Sequence, residues 1–407
     1  MLRGVAAASA AAAAAAARVV RRAHTKAGTA AAAVHRPQRV GVSFDIDGVL
    51  VRGLARLPHA RESLLRLQRA GIPYVFLTNG GGEPEAVKAG KVAEALQVPV
   101  HPEQVILSHT PLRPVVAQYA DQKVLVLGCR DVMGVARSYG ARHAVDIPTL
   151  AADDPARYPF HATAEARLPA ATREAPFAAV FILHDPTDWA PEVQITLDVI
   201  RGGWPLGSGG HKQTIPVYAS NPDLVFAGTY PEPRLACGAF TLTLKTLWRA
   251  VTGTELAVAQ IGKPTKTTFD YTASAIARWA ALAHATRFHD PFLAWAAALP
   301  GGGHGHSLEA AALPPSLLEP NTEDGSGSGG SDGARPHAAF DRLYHIGDNP
   351  AADMRGALNA GDPWRGILVR TGVFRGAPGT NDRDHPGAAV VDGVADAVSY
   401  ILSHTHT

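Results

Sequence analysis

The segment VGVSFDIDG, Val40 to Gly48, is a buried-strand pattern that ends on two aspartates and a glycine. Side chains two residues apart in a strand face the same side, so the carboxylates of Asp45 and Asp47 would repel each other. A nearby basic side chain or a bound metal ion would relieve this repulsion. A calcium loop of the EF-hand type is excluded, because DIDGVLVRGLAR lacks the further oxygen ligands and the glutamate at its twelfth position.

Strand-like and helix-like segments alternate from Arg39 onward, which predicts an α/β fold with a mostly parallel sheet. Further buried-strand patterns are IPYVFLTN, KVLVLG, FAAVFILHD, IPVYASN, VAQIG, DRLYHIGD and RGILVRTG. Each of them ends in a polar or glycine-containing turn. Open α/β sheets bind ligands at the carboxyl ends of their strands, so we expect the functional residues in these turns.

The composition of the 407-residue chain, with 46% hydrophobic and 18% charged residues, is typical of a globular protein with a sizeable core. The formal net charge is +2, but five basic residues lie within the first 26 positions, and the remainder carries a charge of −3. This balance argues against a nucleic-acid partner. Only Cys129 and Cys237 are present, which is too few for a disulfide framework and fits a reducing compartment.

The leader MLRGVAAASAAAAAAAARVVRRAHTKAG combines recurrent arginine and an alanine tract with a lack of acidic residues. This pattern is typical of an organelle transit peptide, and we interpret residues 1–35 as a mitochondrial transit peptide or disordered leader. A chloroplast transit peptide and a plain low-complexity tail are the alternatives. The apolar stretch is shorter than the about 20 residues that a bilayer requires, so we expect no transmembrane segment.

Three further strand ends carry polar side chains of complementary types. FLTNGGG ends on a hydroxyl and an amide, and the N–H groups of its glycines can approach a phosphate. IGKPTKTTF places a lysine after a short strand, and HIGDNPAADMRGA places one aspartate at a strand end and a second in the following turn. The candidate residues in these segments are Thr78, Asn79, Gly80, Lys263, Asp348, Asn349 and Asp353.

Each of these segments also has an ordinary structural explanation as a helix cap, a solvated loop or a hydrogen-bonded turn. Their occurrence in series favours chemistry. Asp45, Asp47 and Asp348 can converge on one hard cation, and Mg²⁺ suits a site of carboxylates, waters and a substrate phosphate. Lys263 and the cation would then offset the carboxylates. A carboxylate that faces phosphorus can act as a nucleophile and form an aspartyl-phosphate.

This series resembles the four motifs of the haloacid dehalogenase superfamily of phosphotransferases. The resemblance implies that Asp45 is the nucleophile and first metal ligand, and that Asp47 is the general acid and base, with its backbone carbonyl on Mg²⁺. The acid at Asp47 favours a phosphate ester over a carbon–halogen bond. The other implied roles are phosphoryl binding by Thr78, Asn79 and Gly80, catalysis by Lys263, metal ligation by Asp348 and support from Asn349 and Asp353.

The interval from Gly82 to Ile261 is too long for a loop and has its own α/β pattern, which predicts an inserted cap domain. ASNPDLVFAG and LACGAFTLTLKTLWRAVTG resemble subclass IIA of the superfamily. LSHTPL, HDPTDW, YASNPDL and QIGKPTKTTFDY resemble its mitochondrial cat eye syndrome critical region branch. The implied architecture is a Rossmann-like parallel-sheet core at 39–107, 253–298 and 337–402, an α/β cap at 108–252 and a disordered low-complexity insertion at 299–336.

Two pairs of cap residues allow both a functional and a structural interpretation. His184 and Asp185 replace a glycine-containing turn of the family's phosphatases, and they either face the active site or form a hydrogen-bonded turn. Asn221 and Asp223 either orient the cap–core boundary or form an Asn-Pro-Asp turn. The glycine-rich GGWPLGSGGHKQ lacks the ending of a nucleotide-binding loop and is interpreted as a linker.

The leading hypothesis is a Mg²⁺-dependent phosphatase of mitochondria, which hydrolyses a small phosphomonoester through a phosphorylated Asp45. One alternative is a non-catalytic binding module with the same fold. Another is a role in glycerophospholipid metabolism, with a lipid head-group phosphate as substrate. The expected partner is the small-molecule substrate, and a homodimer through the cap is a candidate assembly.

Overall fold

The computed structural model describes residues 39–53, 55–160, 167–226, 230, 232–285 and 339–405. The leader at 1–35 and the low-complexity insertion at 299–336 lie outside these described residues. Among the described helices, none has the length and apolar character needed to cross a bilayer.

The described elements alternate between strands and helices through most of the chain, as the sequence predicts. The strands are β1 (Val40–Phe44), β2 (Val51–Arg52), β3 (Ala55–Arg56), β4 (Tyr74–Leu77), β5 (Val105–Ile106), β6 (Lys123–Leu127), β7 (His143–Val145), β8 (Phe177–Ile182), β9 (Val217–Ala219), β10 (Val225–Phe226), β11 (Arg234–Leu235), β12 (Val258–Gln260), β13 (Arg342–Gly347), β14 (Trp364–Val369) and β15 (Ala389–Val391). The α-helices are α1 (Ala60–Arg69), α2 (Glu85–Leu96), α3 (Arg113–Ala117), α4 (Val132–Ser138), α5 (Ile147–Asp153), α6 (Ala170–Glu174), α7 (Trp189–Arg201), α8 (Cys237–Thr252), α9 (Lys266–Ala285), α10 (Arg355–Ala360) and α11 (Val394–Ser403). Short helical turns lie at Pro102–Gln104, Thr110–Leu112, Pro155–Arg157 and Pro350–Met354.

The core sheet has six parallel strands in the order β15-β14-β13-β1-β4-β5. Its central strand β1 is fully buried, which accounts for the continuous apolar run in the sequence. Phe44 lies opposite Ile346 on β13 and Phe76 on β4. These strands therefore end at the same edge of the sheet, and the residues that follow them meet there.

The cap sheet has five parallel strands in the order β12-β9-β8-β6-β7. One buried layer of this sheet includes Phe181 and Tyr218, whose rings stack at 5.1 Å, and another packs around the fully buried Trp248. The α/β class and the parallel sheets predicted from the sequence are thus confirmed.

One strand lies in a different sheet from the one expected. The segment VAQIG was expected in the core segment 253–298. Its strand, β12, instead pairs with β9 of the cap sheet, with Val258 opposite Val217. This assignment is wrong, because a three-residue apolar stretch fits the edge of either sheet and only long-range pairing decides between them. Lys263 therefore follows a strand of the cap and precedes α9 of the core.

Candidate active site

Asp45 lies directly after β1 at the carboxyl edge of the core sheet. Its backbone N–H donates to the Ile346 carbonyl at 2.8 Å, so the neighbouring strand fixes the start of this turn. Gly48 has a φ of 85°, and a Cβ atom there would overlap the carboxylate of Asp348. The glycine is required because the turn is left-handed and passes close to a second acidic side chain. Asp47 is exposed in the same turn.

Lys263 lies between two carboxylates in the interior of the site. Its Nζ donates to Asp45 Oδ1 at 2.7 Å and to Asp353 Oδ1 at 2.6 Å, and its side chain is 3% exposed. Burial lowers the pKa of this ammonium, but the adjacent Asp353 and Asp45 outweigh that effect and hold the pKa above its ordinary value. Lys263 is therefore a fixed positive charge.

Asp348 and Asp353 approach the site from the end of β13. Asp348 Oδ2 accepts the Val373 N–H at 2.6 Å. Asp353 Oδ2 accepts the Asn349 N–H at 3.0 Å, and its Oδ1 lies 3.0 Å from His345 Nε2. These bonds hold Asp353 rigidly beneath Lys263. Asn349 caps the helical turn that carries Asp353, because its side-chain oxygen accepts the N–H at position 351 at 3.1 Å.

Three buried carboxylates thus share one region of the site. One oxygen each of Asp45, Asp348 and Asp353 lies within 4.8 Å of the others. Burial raises the pKa of Asp45 well above its ordinary value despite Lys263, and burial and Asp353 raise the pKa of Asp348 to about 6. For Asp353 the effect of burial is outweighed by Lys263 and His345, which lower its pKa. One ammonium does not balance three carboxylates, so the donor set fits a hard divalent cation such as Mg²⁺.

The sequence-predicted metal set overlaps this cluster in part. Asp45 and Asp348 belong to it. Asp353, expected only to support the site, adds the third carboxylate, whereas the Asp47 carboxylate lies outside the group of described residues that could hold an ion. Metal binding by Asp47 was expected through its backbone carbonyl, and this role remains a prediction.

The strand end of β4 brings Thr78, Asn79 and Gly80 to the same edge. Thr78 is buried, and its Oγ1 accepts the Gly80 N–H at 3.1 Å. The Asn79 carboxamide is occupied by protein groups, because Nδ2 donates to the Lys263 carbonyl and to Asp223 Oδ2, each at 2.9 Å. Asn79 Oδ1 accepts the Lys263 N–H at 2.8 Å. The substrate-binding role expected for Asn79 stays a prediction, and the structure shows that its side chain also holds the lysine loop.

The cap forms hydrogen bonds to the glycines that follow Asn79. Arg130 Nη1 donates to the Gly81 carbonyl at 3.1 Å, and the Asp131 N–H donates to the Gly82 carbonyl at 2.8 Å. Gly82 has a φ of 78°, and a Cβ atom there would overlap the ring of His184. His184 is buried, and this burial lowers its pKa. The cap thus lies directly against the predicted phosphate-binding loop.

These contacts separate the two interpretations of the cap residues. His184 packs on the glycine loop, while Asp185 is structural, because its Oδ1 accepts the N–H of Cys237 at the start of α8 at 2.6 Å. Asn221 forms the turn, since its Oδ1 accepts the Asp223 N–H at 2.9 Å. Asp223 reaches across the cap–core boundary to Asn79.

Some residues of the site carry no recognisable sequence signal. His345 lies inside β13 and connects Ser43 Oγ, 2.8 Å from its Nδ1, to Asp353. Val373 contributes only its backbone N–H, from the loop after β14. A buried histidine within an apolar strand and a backbone donor in a loop become visible only in three dimensions.

Comparisons with known proteins agree with this geometry. Residues 42–142 match the family model of haloacid dehalogenase-like hydrolases, and residues 260–397 match a second, HAD-hydrolase-like model. The chain is 32% identical over 376 residues to the mitochondrial hydrolase YKR070W of Saccharomyces cerevisiae, covering 90% of this chain and 96% of that protein. It is 30% identical over 373 residues to a cardiolipin synthase (CMP-forming) / mitochondrial hydrolase fusion protein of Schizosaccharomyces pombe, covering 89% of this chain and 53% of the fusion.

Solved structures share the fold at lower identity. Protein PH1952 of Pyrococcus horikoshii superposes with a TM-score of 0.54 at 19% identity, over 89% of this chain and 99% of that one. A 4-nitrophenylphosphatase of Thermotoga maritima gives a TM-score of 0.54 at 15% identity, over 89% and 97% of the two chains. At these identities the likeness concerns the architecture of core and cap.

Proposed function

Because the chain belongs to the haloacid dehalogenase superfamily of hydrolases, we propose that it is a Mg²⁺-dependent phosphatase acting on a small phosphomonoester. The observation that carries the proposal is the bridge of Lys263 between Asp45 and Asp353, with Asp348 beside it. This set places a nucleophile, a fixed positive charge and a carboxylate-rich cation site together. Phosphoryl transfer depends on such positioning and charge compensation.

Asp45 is the nucleophile in this proposal. Its carboxylate oxygen forms a bond to phosphorus while the bond from phosphorus to the ester oxygen breaks, and Asp47 gives its proton to the departing alcohol. Asp47 then takes a proton from water, whose oxygen attacks the phosphorus of the aspartyl-phosphate and releases inorganic phosphate. Lys263 holds the Asp45 carboxylate in place and offsets the charge of the phosphoryl group.

The residues suited to hold Mg²⁺ are Asp45, Asp348 and the backbone carbonyl of Asp47. When bound, the ion supplies positive charge to the carboxylates and to the phosphoryl oxygens. Thr78 and the backbone of Asn79 and Gly80 would bind the phosphoryl group from the neighbouring strand end of β4. The Asn79 side chain acts indirectly, through Lys263.

The test is release of inorganic phosphate from a panel of phosphomonoesters, with Mg²⁺ and with EDTA. We expect turnover that requires Mg²⁺ and is lost in Asp45→Asn. Asp396→Asn, which changes an exposed carboxylate on α11, serves as the matched control and keeps full turnover. No thermal shift with Mg²⁺ and beryllium fluoride, together with no turnover of any substrate, would instead favour the non-catalytic binding module.

We also place the protein in mitochondria. The Saccharomyces cerevisiae relative is named a mitochondrial hydrolase, and the Schizosaccharomyces pombe relative is named a fusion that contains a mitochondrial hydrolase. The leader also has the composition of a transit peptide. Fluorescent fusions of the full chain and of a chain lacking residues 1–35 test this location. We expect mitochondrial signal only for the full chain, and equal distribution of the two fusions would contradict the proposal.

A lipid head-group phosphate is the second candidate substrate. The Schizosaccharomyces pombe relative joins its hydrolase to a cardiolipin synthase, and the β10–β11 hairpin that follows Asp223 exposes apolar side chains. Among the described residues of this hairpin, the exposed apolar side chains include Leu224, Val225, Phe226 and Leu235. Phosphatidic acid vesicles and soluble glycerol phosphate distinguish the candidates. If lipid is the substrate, Phe226→Ser lowers turnover of the vesicles and leaves turnover of the soluble ester unchanged.

A homodimer through the cap is the proposed assembly. Helix α8 of the cap exposes the apolar side chains of Leu242, Leu247 and Val251. Light scattering after size-exclusion chromatography tests the state of the full chain, and we expect Leu247→Glu to convert the dimer to a monomer. A monomeric wild-type protein at all concentrations would exclude this assembly.

A further inference from the structure

The cap segment that contains Ser220 and Asp223 crosses into the core beside the lysine loop. Gly262, with a φ of 98°, packs so closely against it that a Cβ atom would overlap the Ser220 carbonyl. This glycine permits the backbone of the cap to contact the turn that carries Lys263. Asp223 thereby reaches Asn79, a residue distant in sequence, across the cap–core boundary.

The contact with Asp223 fixes the orientation of the Asn79 carboxamide. A carboxylate only accepts hydrogen bonds, so the amide nitrogen of Asn79 must face Asp223 Oδ2, 2.9 Å away. Its second N–H donates to the Lys263 carbonyl, and Oδ1 is left facing the Lys263 N–H at 2.8 Å. The opposite orientation would set the amide oxygen against two other acceptors. Asp223 and the main chain of Lys263 therefore select the same amide orientation.

Asn79 in turn clamps the backbone of Lys263. Both the N–H and the carbonyl of Lys263 bond to the one carboxamide, so the path of the main chain at this residue is fixed. From this position Nζ spans Asp45 and Asp353. We propose that Asp223 is a positioning residue: this cap carboxylate orients Asn79, which holds Lys263 in the catalytic geometry. The inference rests on the proposed phosphatase function, because it assigns the cap a part in assembling that site.

The side chain of Asp223 can be tested separately from its turn. The backbone of Asp223, and not its side chain, makes the hydrogen bonds that hold the turn. The Asp223 N–H donates to Asn221 Oδ1 and the Gly238 N–H donates to the Asp223 carbonyl, each at 2.9 Å. Replacing the carboxylate leaves both bonds in place. Asp223→Asn retains an acceptor oxygen for Asn79, whereas Asp223→Ala removes it and leaves the carboxamide held by the Lys263 main chain alone.

The first experiment measures kcat and KM for 4-nitrophenyl phosphate in Asp223→Ala, Asn79→Ala, the double variant and Asp223→Asn. We expect Asp223→Ala to lower kcat about tenfold to a hundredfold with little change in KM, because misplacement of a catalytic group affects the transition state most. The double variant should be no slower than Asn79→Ala alone, and Asp223→Asn should recover most of the activity. Asp198→Ala, a change within α7 of the cap, is the control. Multiplying effects in the double variant, or unchanged kcat in Asp223→Ala, would overturn the proposal.

The second experiment does not depend on turnover. Lys263 is buried, so acetic anhydride should acetylate its amine slowly in the wild-type protein, as measured by mass spectrometry. Asp223→Ala should raise the labelling rate at Lys263 several-fold, with Lys91 and Lys266 unchanged as internal references, while Asp223→Asn stays close to wild type. Equal labelling in all three proteins would refute the positioning role even if the chain hydrolyses no phosphate ester. Conversely, the three proteins could show the expected labelling rates while the wild-type protein hydrolyses no substrate. That result would contradict the phosphatase proposal and leave the positioning role of Asp223 intact.

Discussion

Two buried clusters of charged side chains in this protein differ in their charge balance. The site cluster consists of Asp45, Lys263, Asp348 and Asp353. The hinge cluster lies where the chain passes from the core into the cap and consists of Glu85, His109, Thr110, Arg113 and Tyr139. The hinge cluster pairs its one buried carboxylate with a guanidinium that also contacts the half-buried Glu103, 3.4 Å away, whereas the site cluster places three buried carboxylates around one ammonium.

The hinge cluster satisfies its only carboxylate within the protein. Glu85 Oε1 accepts hydrogen bonds from Thr110 Oγ1 at 2.8 Å and from the Tyr139 hydroxyl, and it lies 3.2 Å from Arg113 Nη2. Burial raises the pKa of Glu85, but Arg113, His109 and the Tyr139 hydroxyl outweigh it and lower the pKa overall. This cluster therefore connects α2 of the core to the first helices of the cap and requires no ligand.

The site cluster instead retains an excess of negative charge. Burial raises the pKa of both Asp45 and Asp348, which means that Lys263 compensates these carboxylates only in part. An arrangement of this kind is unfavourable in a folded protein unless a cation or a reaction makes use of it. Burial of charged side chains alone therefore does not indicate a functional site, whereas an imbalance of buried charge does.

The largest expected effect separates the two clusters by activity. Asp45→Asn should lower kcat by about 10⁴-fold or more, because it removes the proposed nucleophile. Its thermal midpoint without metal should stay at or above that of the wild type, since one repelling carboxylate has been removed. Glu85→Gln should do the reverse, with a lower midpoint and a kcat within about threefold of wild type. Phosphate release and differential scanning calorimetry measure the two quantities, and a large loss of kcat in Glu85→Gln would erase the distinction.

The next effect concerns the stability that the single ammonium gives to the site cluster. Lys263→Met leaves three buried carboxylates without a positive partner and should lower the free energy of unfolding by about 3–5 kcal/mol, the range for removing one partner of a buried pair. Lys266→Met, which changes an exposed lysine paired with Asp270, is the control and should cost under about 1 kcal/mol. Urea unfolding of the metal-free proteins measures both. Adding Asp353→Asn to Lys263→Met should recover part of the loss, and a further loss would contradict the charge argument.

The sequence predicts the site cluster better than the hinge cluster. Asp45 and Asp348 each end an apolar strand, and parallel strands must end at a common edge, so local patterns suffice to bring them together. Lys263 was found in the same way, although its strand belongs to the cap sheet. The hinge cluster depends on contacts between Glu85 and Tyr139, which no local pattern relates.

The same limit explains what was missed near the site. The role of Asn79 in phosphoryl binding is implied by the family resemblance and stays a prediction, while only the positions of Asp223 and Lys263 reveal that its side chain also binds protein groups. The sheet that β12 joins was also beyond reach, since three residues carry too little pattern to choose between two parallel sheets. Sequence periodicity identifies strand ends, and tertiary pairing decides what each side chain contacts.

The stability that the hinge cluster contributes to the fold should depend on pH. Burial lowers the pKa of His109 to about 4, from an ordinary value of 6.5, with Glu85 acting in the opposite direction and His184 and Arg113 in the same one. As pH falls, the unfolded chain takes up the proton first, so stability from neutral His109 is present above pH 6.5 and is lost as pH falls towards 4. The loss amounts to about 3 kcal/mol. Urea unfolding between pH 7 and 4.5 measures it, and His109→Phe should flatten this part of the profile. An unchanged slope in that variant would show that other groups carry the pH dependence.

The smallest effect concerns Mg²⁺, which should stabilise the site cluster and leave the hinge cluster unaffected. An ion that binds only the folded state adds about 2.7 kcal/mol at a hundredfold excess over its dissociation constant, which follows from mass action. Thermal unfolding with increasing Mg²⁺ should therefore show a rising midpoint in wild type and in Glu85→Gln. Asp348→Asn should abolish the rise, because it removes a carboxylate that is proposed to hold the ion. A rise that persists in Asp348→Asn would place the cation elsewhere, and the excess charge of the site cluster would then need another explanation.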